Sequence, residues 1–340
     1  MDRVEDWPGE ARSDRPSHRD TIVIGGSAGS LDTLRAIAAA LPGDFRGTIF
    51  VVAHIGRTRS ILAELLRKSG KLTASHPREE EPVRKGHIYI APPDWHMLIA
   101  DGRVCLSRGP REHFTRPAID PLFRSAAQAY GPRVIGVVLS GGGSDGAAGL
   151  DCIHLAGGLT IVEDPAEAAF PDMPRTAASV RPPHFVVRAA EIPALLVRLG
   201  NEVIPAQAGP AREGASAAME RDEFERPVTF SCPECGGALR RSNNGLQEYA
   251  CHVGHKFGAT ELLQAQSEGV EKGIYVALRM LGEQAEFARR MIAIARDAPL
   301  DNGLVFWQRL QAQAEEQSEA LRKFLERRPS ARFEPEPADD

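Results

Sequence analysis

A serine, a histidine and an aspartate, each just beyond an apolar run, are the residues of this chain that could together carry out nucleophilic catalysis. Ser27 lies in Gly25-Gly26-Ser27-Ala28-Gly29-Ser30, directly after Thr21-Ile22-Val23-Ile24. Residues 25–29 fit the G-x-S-x-G elbow, where small neighbours let a sharp turn expose the hydroxyl and the next helix points its N–H groups at it. His54 closes the β-branched run 47–53, and Asp145 sits in the loop Ser140-Gly141-Gly142-Gly143-Ser144-Asp145-Gly146 that follows the run 134–139. A serine hydroxyl is a weak nucleophile until an imidazole takes its proton and a carboxylate orients that imidazole, so Ser27, His54 and Asp145 would be nucleophile, base and orienting acid.

Singly, each residue has a plainer reading: a glycine turn after a strand, a structural histidine, and a helix N-cap for residues 146–155. The three together, in loops at matching strand ends, favour the triad. In open α/β sheets reacting groups gather beyond the carboxyl ends of the strands. The chain order Ser, His, Asp differs from the Ser, Asp, His of α/β-hydrolases, and the elbow follows the first strand, too early for that fold. The expected architecture is α/β, a doubly wound, mostly parallel, Rossmann-like sheet. A competing reading uses the same loop: residues 141–146 satisfy G-x-G-x-x-G, and Glu163 ends the strand-like Leu159-Thr160-Ile161-Val162 about twenty residues on, as a dinucleotide site would require. The pattern is permissive in a chain with 32 glycines.

The sequence resembles the catalytic domain of chemotaxis protein-glutamate methylesterases over roughly residues 20–195. The resemblance rests on Ile24-Gly25-Gly26-Ser27-Ala28-Gly29, the strand ending in His54, Gly86-His87-Ile88-Tyr89-Ile90-Ala91-Pro92-Pro93, and His113-Phe114-Thr115-Arg116-Pro117-Ala118-Ile119-Asp120-Pro121-Leu122-Phe123. It continues through Leu139-Ser140-Gly141-Gly142-Gly143-Ser144-Asp145-Gly146-Ala147-Ala148-Gly149 and Met173-Pro174-Arg175. It implies hydrolysis of γ-glutamyl methyl esters, with deamidation of glutamines in related members, on the cytoplasmic helices of methyl-accepting chemoreceptors. It also implies catalysis at Ser27, His54 and Asp145 without a cofactor. Oxyanion donors would be the backbone amides of Ala28 and Gly142, where relatives often carry threonine and methionine; a backbone donor survives both changes. His87, His96, His113, Arg116 and Met173 are read as structural, with a place behind the catalytic residues or facing the substrate as the alternative. An inactive receptor-binding scaffold with the same fold is the alternative, against which the intact triad argues. Many family members carry a receiver domain before the esterase; here the first strand begins near Thr21, so none is expected in cis.

The remaining chain divides by composition. Residues 1–19 read as a flexible leader, 20–200 as the catalytic domain closed by a helix over 189–199, and 201–228 as a linker. Residues 229–258 carry Cys232-Pro233-Glu234-Cys235 and, after fifteen residues, Cys251-His252-Val253-Gly254-His255. Three thiolates and an imidazole suit a closed tetrahedral Zn²⁺ site in a zinc-ribbon-like segment too small for its own core, with Cys232, Cys235, Cys251 and His255 as ligands and His252 competing for the fourth place. No thioredoxin-like context supports a redox pair, and Cys105 and Cys152 read as small apolar residues. Residues 259–327 repeat apolar positions at spacings of three and four, from Val270, Ile274, Ala277, Leu281, Ala285, Ala288, Ile292 and Ala295 to Leu304, Trp307, Leu310, Ala314, Leu321 and Phe324. They predict a helical hairpin broken at 299–303 that packs on itself, forms a dimer seam or docks a partner. Residues 328–340 read as a disordered tail. At −5, the net charge of this 340-residue chain argues against a nucleic-acid binder, and its lack of a long apolar run or signal peptide predicts a cytoplasmic protein without membrane insertion.

Overall fold

The structure, a computed structural model, describes residues 18–54, 61–204, 224–242, 247–297 and 303–327. The expected leader over 1–17, linker over 205–223, helix break over 299–302 and tail from 328 lie outside the described residues. Two compact units are present: Met1–Cys232 with Gly237–Gly258, and Pro233–Gly236 with Ala259–Asp340.

In the first unit, strands and helices alternate. β1 (Thr21–Gly26), α1 (Leu31–Ala40), β2 (Thr48–Ala53), α2 (Leu62–Ser69) and β3 (Thr73–Ser75) are followed by the short strands β4 (Glu81–Pro82), β5 (His87–Ile90), β6 (His96–Ala100) and β7 (Arg103–Ser107). Next come α3 (Ile119–Tyr130), β8 (Val134–Val138), α4 (Ala147–Leu155), β9 (Leu159–Glu163), α5 (Asp172–Val180), β10 (Phe185–Val187) and α6 (Ile192–Gly200). Seven strands form one sheet in the order β10-β9-β8-β1-β2-β5-β3, and every pairing in it is parallel. The chain leaves β1 toward β2 on one side and later returns to β8 on the other, so strand order reverses at β1. A doubly wound sheet opens its ligand crevice at such a reversal, beyond the carboxyl ends of the strands.

The apolar runs are continuous because both faces of the sheet are covered. Side chains alternate between faces. Ile22, Ile24, Ile49, Val51, Ile135 and Val137 join a core with Leu34 and Ile37 of α1, Leu66 of α2 and Leu196 of α6. Val23, Phe50, Val52, Val134 and Val138 join the opposite core with Ile119 and Phe123 of α3 and Leu150 and Ile153 of α4. Leu31, expected on the apolar face of α1, is exposed at its first turn, and the helix expected over 189–199 is a short 3₁₀ turn running into α6.

An antiparallel sheet, β4-β7-β6, flanks this core. After the undescribed stretch the same unit continues as a four-stranded antiparallel ribbon of β11 (Phe224–Ser231), β12 (Ala238–Ser242), β13 (Glu248–Cys251) and β14 (Lys256–Gly258). Within the ribbon Leu239, Ala250 and Phe257 are buried, Phe257 against the Phe114 ring.

The second unit is dominated by α7 (Ala259–Asp297) and α8 (Leu304–Arg327). They pack through Ala285, Ala288, Ile292 and Ala314, all buried, and through an edge-on contact of Phe287 with Trp307 at 5.7 Å. Val270 and Phe324, read as part of the packed stripe, are instead exposed. Length explains Val270: at about 1.5 Å per residue α7 is some 20 Å longer than α8, so α8 cannot cover it along its whole length. No helix among the described residues is long and apolar enough to cross a membrane.

Helix α3 approaches the sheet so closely that a Cβ on Gly25 would lie 2.4 Å from the buried Ile119 side chain. Gly25→Ala is expected to lower stability by about 1–3 kcal/mol through overpacking. Urea unfolding measures this; an unchanged midpoint would show that α3 yields without cost.

Candidate active site

The elbow is fixed by its backbone. Ser27 N–H donates to the Ser140 carbonyl at 2.9 Å, and the Ser27 carbonyl accepts from Ser30 N–H at 3.2 Å and the Ser30 hydroxyl at 2.7 Å. Gly29 has φ of +83°, and a Cβ there would meet Ser140 Oγ at 2.6 Å. A Cβ on Gly141 would lie 2.8 Å from Ser27 Cβ and 2.2 Å from Met173 Sδ. Absent side chains therefore let the serine turn and the 140–146 loop lie side by side.

His54 and Asp145 meet in the crevice between these loops. His54 N–H donates to the Gly26 carbonyl at 3.1 Å, which sets the histidine next to the elbow, and its Nε2 lies 2.8 Å from Asp145 Oδ2. The Asp145 side chain is 2% exposed. Its carboxylate also accepts Ile119 N–H at 2.7 Å and Asp120 N–H at 3.0 Å, the first amides of α3. The simple N-cap reading is thus corrected in an informative way: the N-cap of α4 is Gly146, with no side-chain cap, and Asp145 instead holds the positive end of α3. Burial would push its carboxyl upward, but the His54 hydrogen bond, the charges of His113 and His54 and the Ile119 amide outweigh burial and hold it well below the usual carboxylate range. No hydrogen bond joins the Ser27 hydroxyl to His54; contacts between nucleophile and base commonly tighten only in the substrate complex.

Around Ser27 the backbone amides divide into two sets. Those of Ser27 and Gly141 are engaged, by the Ser140 and Phe170 carbonyls, each at 2.9 Å. Those of Ala28 and Gly142 donate to no acceptor among the described residues, and both residues are exposed.

The CheB methylesterase family model matches residues 22–196, just over half of the chain. The chain belongs to the CheB methylesterase family. A Leptospira interrogans relative described as a putative protein-glutamate methylesterase/protein-glutamine glutaminase is 38% identical over 182 residues, which cover 53% of this chain and 94% of that protein. A protein-glutamate methylesterase/protein-glutamine glutaminase of Anaeromyxobacter dehalogenans is 38% identical over 192 residues, 56% of each chain. The crystal structure of the Thermotoga maritima CheB methylesterase catalytic domain superposes with a TM-score of 0.51 at 32% identity, covering 54% of this chain and 99% of that one. Ser27, His54 and Asp145 lie inside the matched CheB methylesterase region; the cysteine cluster and the helical hairpin lie beyond it.

Several residues around this crevice of the CheB methylesterase domain carry no sequence signal for the contacts they make. Ser140 is a junction: its hydroxyl donates to the Ala28 carbonyl and accepts Phe170 N–H, both at 2.9 Å. Its own N–H donates to Glu163 Oε2 at 2.8 Å. That contact corrects the dinucleotide reading, because Glu163 is buried and occupied with the loop backbone instead of facing a crevice where a ribose could reach it. Thr115 Oγ1 lies 3.4 Å from His54 Nε2 while donating to the Glu112 carbonyl at 3.0 Å. His113, buried, sets Nε2 3.1 Å from Asp120 Oδ2 and 3.8 Å from Glu248 Oε1, and Nδ1 3.3 Å from Ser144 Oγ. His113 and Phe114 both have positive φ, 51° and 59°. Left-handed backbone at non-glycine residues costs about 1–3 kcal/mol each and persists where surrounding contacts enforce it. By contrast His87 is held by Thr73 and Ser75, His96 by Pro110 and Ala118, and Arg116 by Asp94, as structural residues. Met173 is fully buried and donates its N–H to the Gly141 carbonyl.

The donor atoms of Cys232, Cys235, Cys251 and His255 lie within 4.8 Å of one another, a group able to hold a metal ion. His255 Nδ1 is 3.7 Å from Cys232 Sγ and 3.5 Å from Cys251 Sγ. The edge between sulfur and nitrogen in a tetrahedron with bonds of about 2.3 and 2.0–2.1 Å is about 3.5 Å, so these residues fit. His252, the competing ligand, is exposed and outside the group.

Burial raises the Glu163 carboxyl above its ordinary value, with the Ser140 hydrogen bond opposing. Its folded pKa exceeds the unfolded one, so its contribution is full below about 4.3 and is lost as pH rises through the folded value. Glu163→Gln removes that loss. The variant's melting temperature relative to the parent should climb as pH rises above about 4.3; a flat difference from pH 4 to 7 would contradict the burial argument.

Proposed function

We propose that this chain is a protein-glutamate methylesterase, with protein-glutamine glutaminase activity as a second reaction of the same site. The observation that carries the reading is the buried His54–Asp145 pair set beside the Ser27 elbow within a CheB methylesterase domain. Ser27 Oγ attacks the γ-carbonyl carbon of a glutamyl methyl ester as His54 takes the hydroxyl proton, and methanol leaves with that proton. Water then attacks the acyl-enzyme, again giving its proton to His54, and the glutamate carboxylate is released as Ser27 regains its hydrogen. With Nε2 engaged by Asp145, the transferring nitrogen is Nδ1. The uncommitted amides of Ala28 and Gly142 are the oxyanion donors, aimed at charge that appears only in the tetrahedral intermediates. A glutamine side chain fits the same steps, releasing ammonia.

The substrates are the cytoplasmic helices of methyl-accepting chemoreceptors, which makes the protein a cytoplasmic component of chemotaxis-type signal transduction. The Cys232, Cys235, Cys251 and His255 group holds a structural Zn²⁺, all four positions being filled by protein. The exposed apolar residues of α7 and α8 serve a partner or a second copy of the chain.

Methanol release from a methylated chemoreceptor fragment tests the reaction. Ser27→Ala should abolish it, and Asp145→Asn should lower kcat by about 10⁴-fold by misplacing the imidazole proton. Release undiminished in Ser27→Ala would remove the serine mechanism; none from the parent with several receptors would favour a binding role. For the metal, analysis of purified protein should find about one zinc per chain, and Cys251→Ser should lose it. Parent protein that takes up no zinc on reconstitution would refute the assignment.

A further inference from the structure

We propose that the C-terminal β-ribbon is a working part of the esterase site: β14 and Glu248 clamp residues 111–115 in the conformation that sets Thr115 against His54. Glu248 is then a positioning residue. The inference rests on the reading of His54 as the catalytic base.

The contacts form a short chain from ribbon to imidazole. Lys256 of β14 pairs with Glu112 as an isolated parallel bridge; its carbonyl accepts His113 N–H at 2.8 Å and its N–H donates to the Arg111 carbonyl at 3.4 Å. Glu112, held on both sides, presents a carbonyl that accepts both Thr115 N–H at 2.9 Å and the Thr115 hydroxyl at 3.0 Å. With its proton committed there, the hydroxyl turns a lone pair toward His54 Nε2 at 3.4 Å, on the side of the ring that Asp145 already holds. The imidazole is thereby oriented by two acceptors, one from the 140–146 loop and one from the clamped segment.

Side chains reinforce the backbone. The Phe114 ring packs on the buried Phe257 of β14 with centroids 4.6 Å apart. Glu248 of β13 approaches the buried His113 imidazole, which also lies against Asp120 of α3 and against Ser144, the residue before Asp145. The ribbon therefore touches the two residues of the segment with left-handed backbone, His113 and Phe114, and supplies contacts that resist their relaxation. These contacts come from residues beyond the matched esterase region, so the clamp is a feature of this chain's C-terminal extension.

Full-length parent, Glu248→Ala, Glu248→Asp and Phe257→Ala decide the matter, with amide hydrogen exchange at His113 and methanol release from a glutamate γ-methyl ester peptide as readouts. The clamp predicts a protected His113 amide in the parent and faster exchange in Glu248→Ala. It also predicts a fall in kcat of about tenfold with KM within about twofold, partly restored by Glu248→Asp. Phe257→Ala should lose both protection and kcat while exchange in β1, β2 and β8 stays slow. An unprotected His113 amide in the parent, or parent-like kcat in a variant whose ribbon has opened, would overturn the proposal. If the parent released no methanol, the esterase reading would fail, while the exchange results would still decide whether the ribbon holds the segment.

Discussion

A buried carboxylate organises this site. Asp145 lies out of water, where an unpaired charge costs several kcal/mol, and it is tolerated because three donors surround it: two amides at the start of α3 and the imidazole of His54. Each donor belongs to a different argument about the fold. The α3 amides exist only if the helix begins at Ile119, the imidazole arrives only if β2 ends at Ala53, and the carboxylate arrives only if the loop after β8 turns at its glycines. Moving any one element would leave a buried charge short of a partner, so the local chemistry and the global packing enforce each other.

Close approach is the second condition. The loops after β1 and β8 and the start of α3 share a space that would not admit ordinary side chains at Gly25, Gly29 or Gly141. Ser140 occupies the centre of it with every polar group engaged, joining the elbow, β9 and the segment before α5. This dense arrangement engages the amides of Ser27 and Gly141 and leaves those of Ala28 and Gly142 without an acceptor among the described residues.

The ribbon extends the same logic to a segment outside the sheet. Residues 111–115 make no strand or helix, and two of them adopt backbone conformations that a free chain avoids. Contacts from α3 and β14 hold them, through Arg124 to Glu112 and Lys256 to His113.

The elbow, the strand ends at His54 and Asp145, the parallel sheet and the cysteine-histidine spacing were legible in the sequence, because each is written in local residue types and periodicity. What Asp145 holds was not: its partners are amides of residues 119 and 120, and backbone amides carry no sequence signature. Nor were the burial of Glu163 beneath Ser140, the placing of Thr115 against His54, or the contact of Glu248 with His113 across more than a hundred residues. The chain's residue types determined which groups could act as nucleophile, base and acid and roughly where on a sheet they stand. Tertiary structure alone decided which neighbours orient them, because orientation depends on side chains and amides brought within about 3 Å by packing, and packing joins segments whose separation along the chain says nothing about their distance in space.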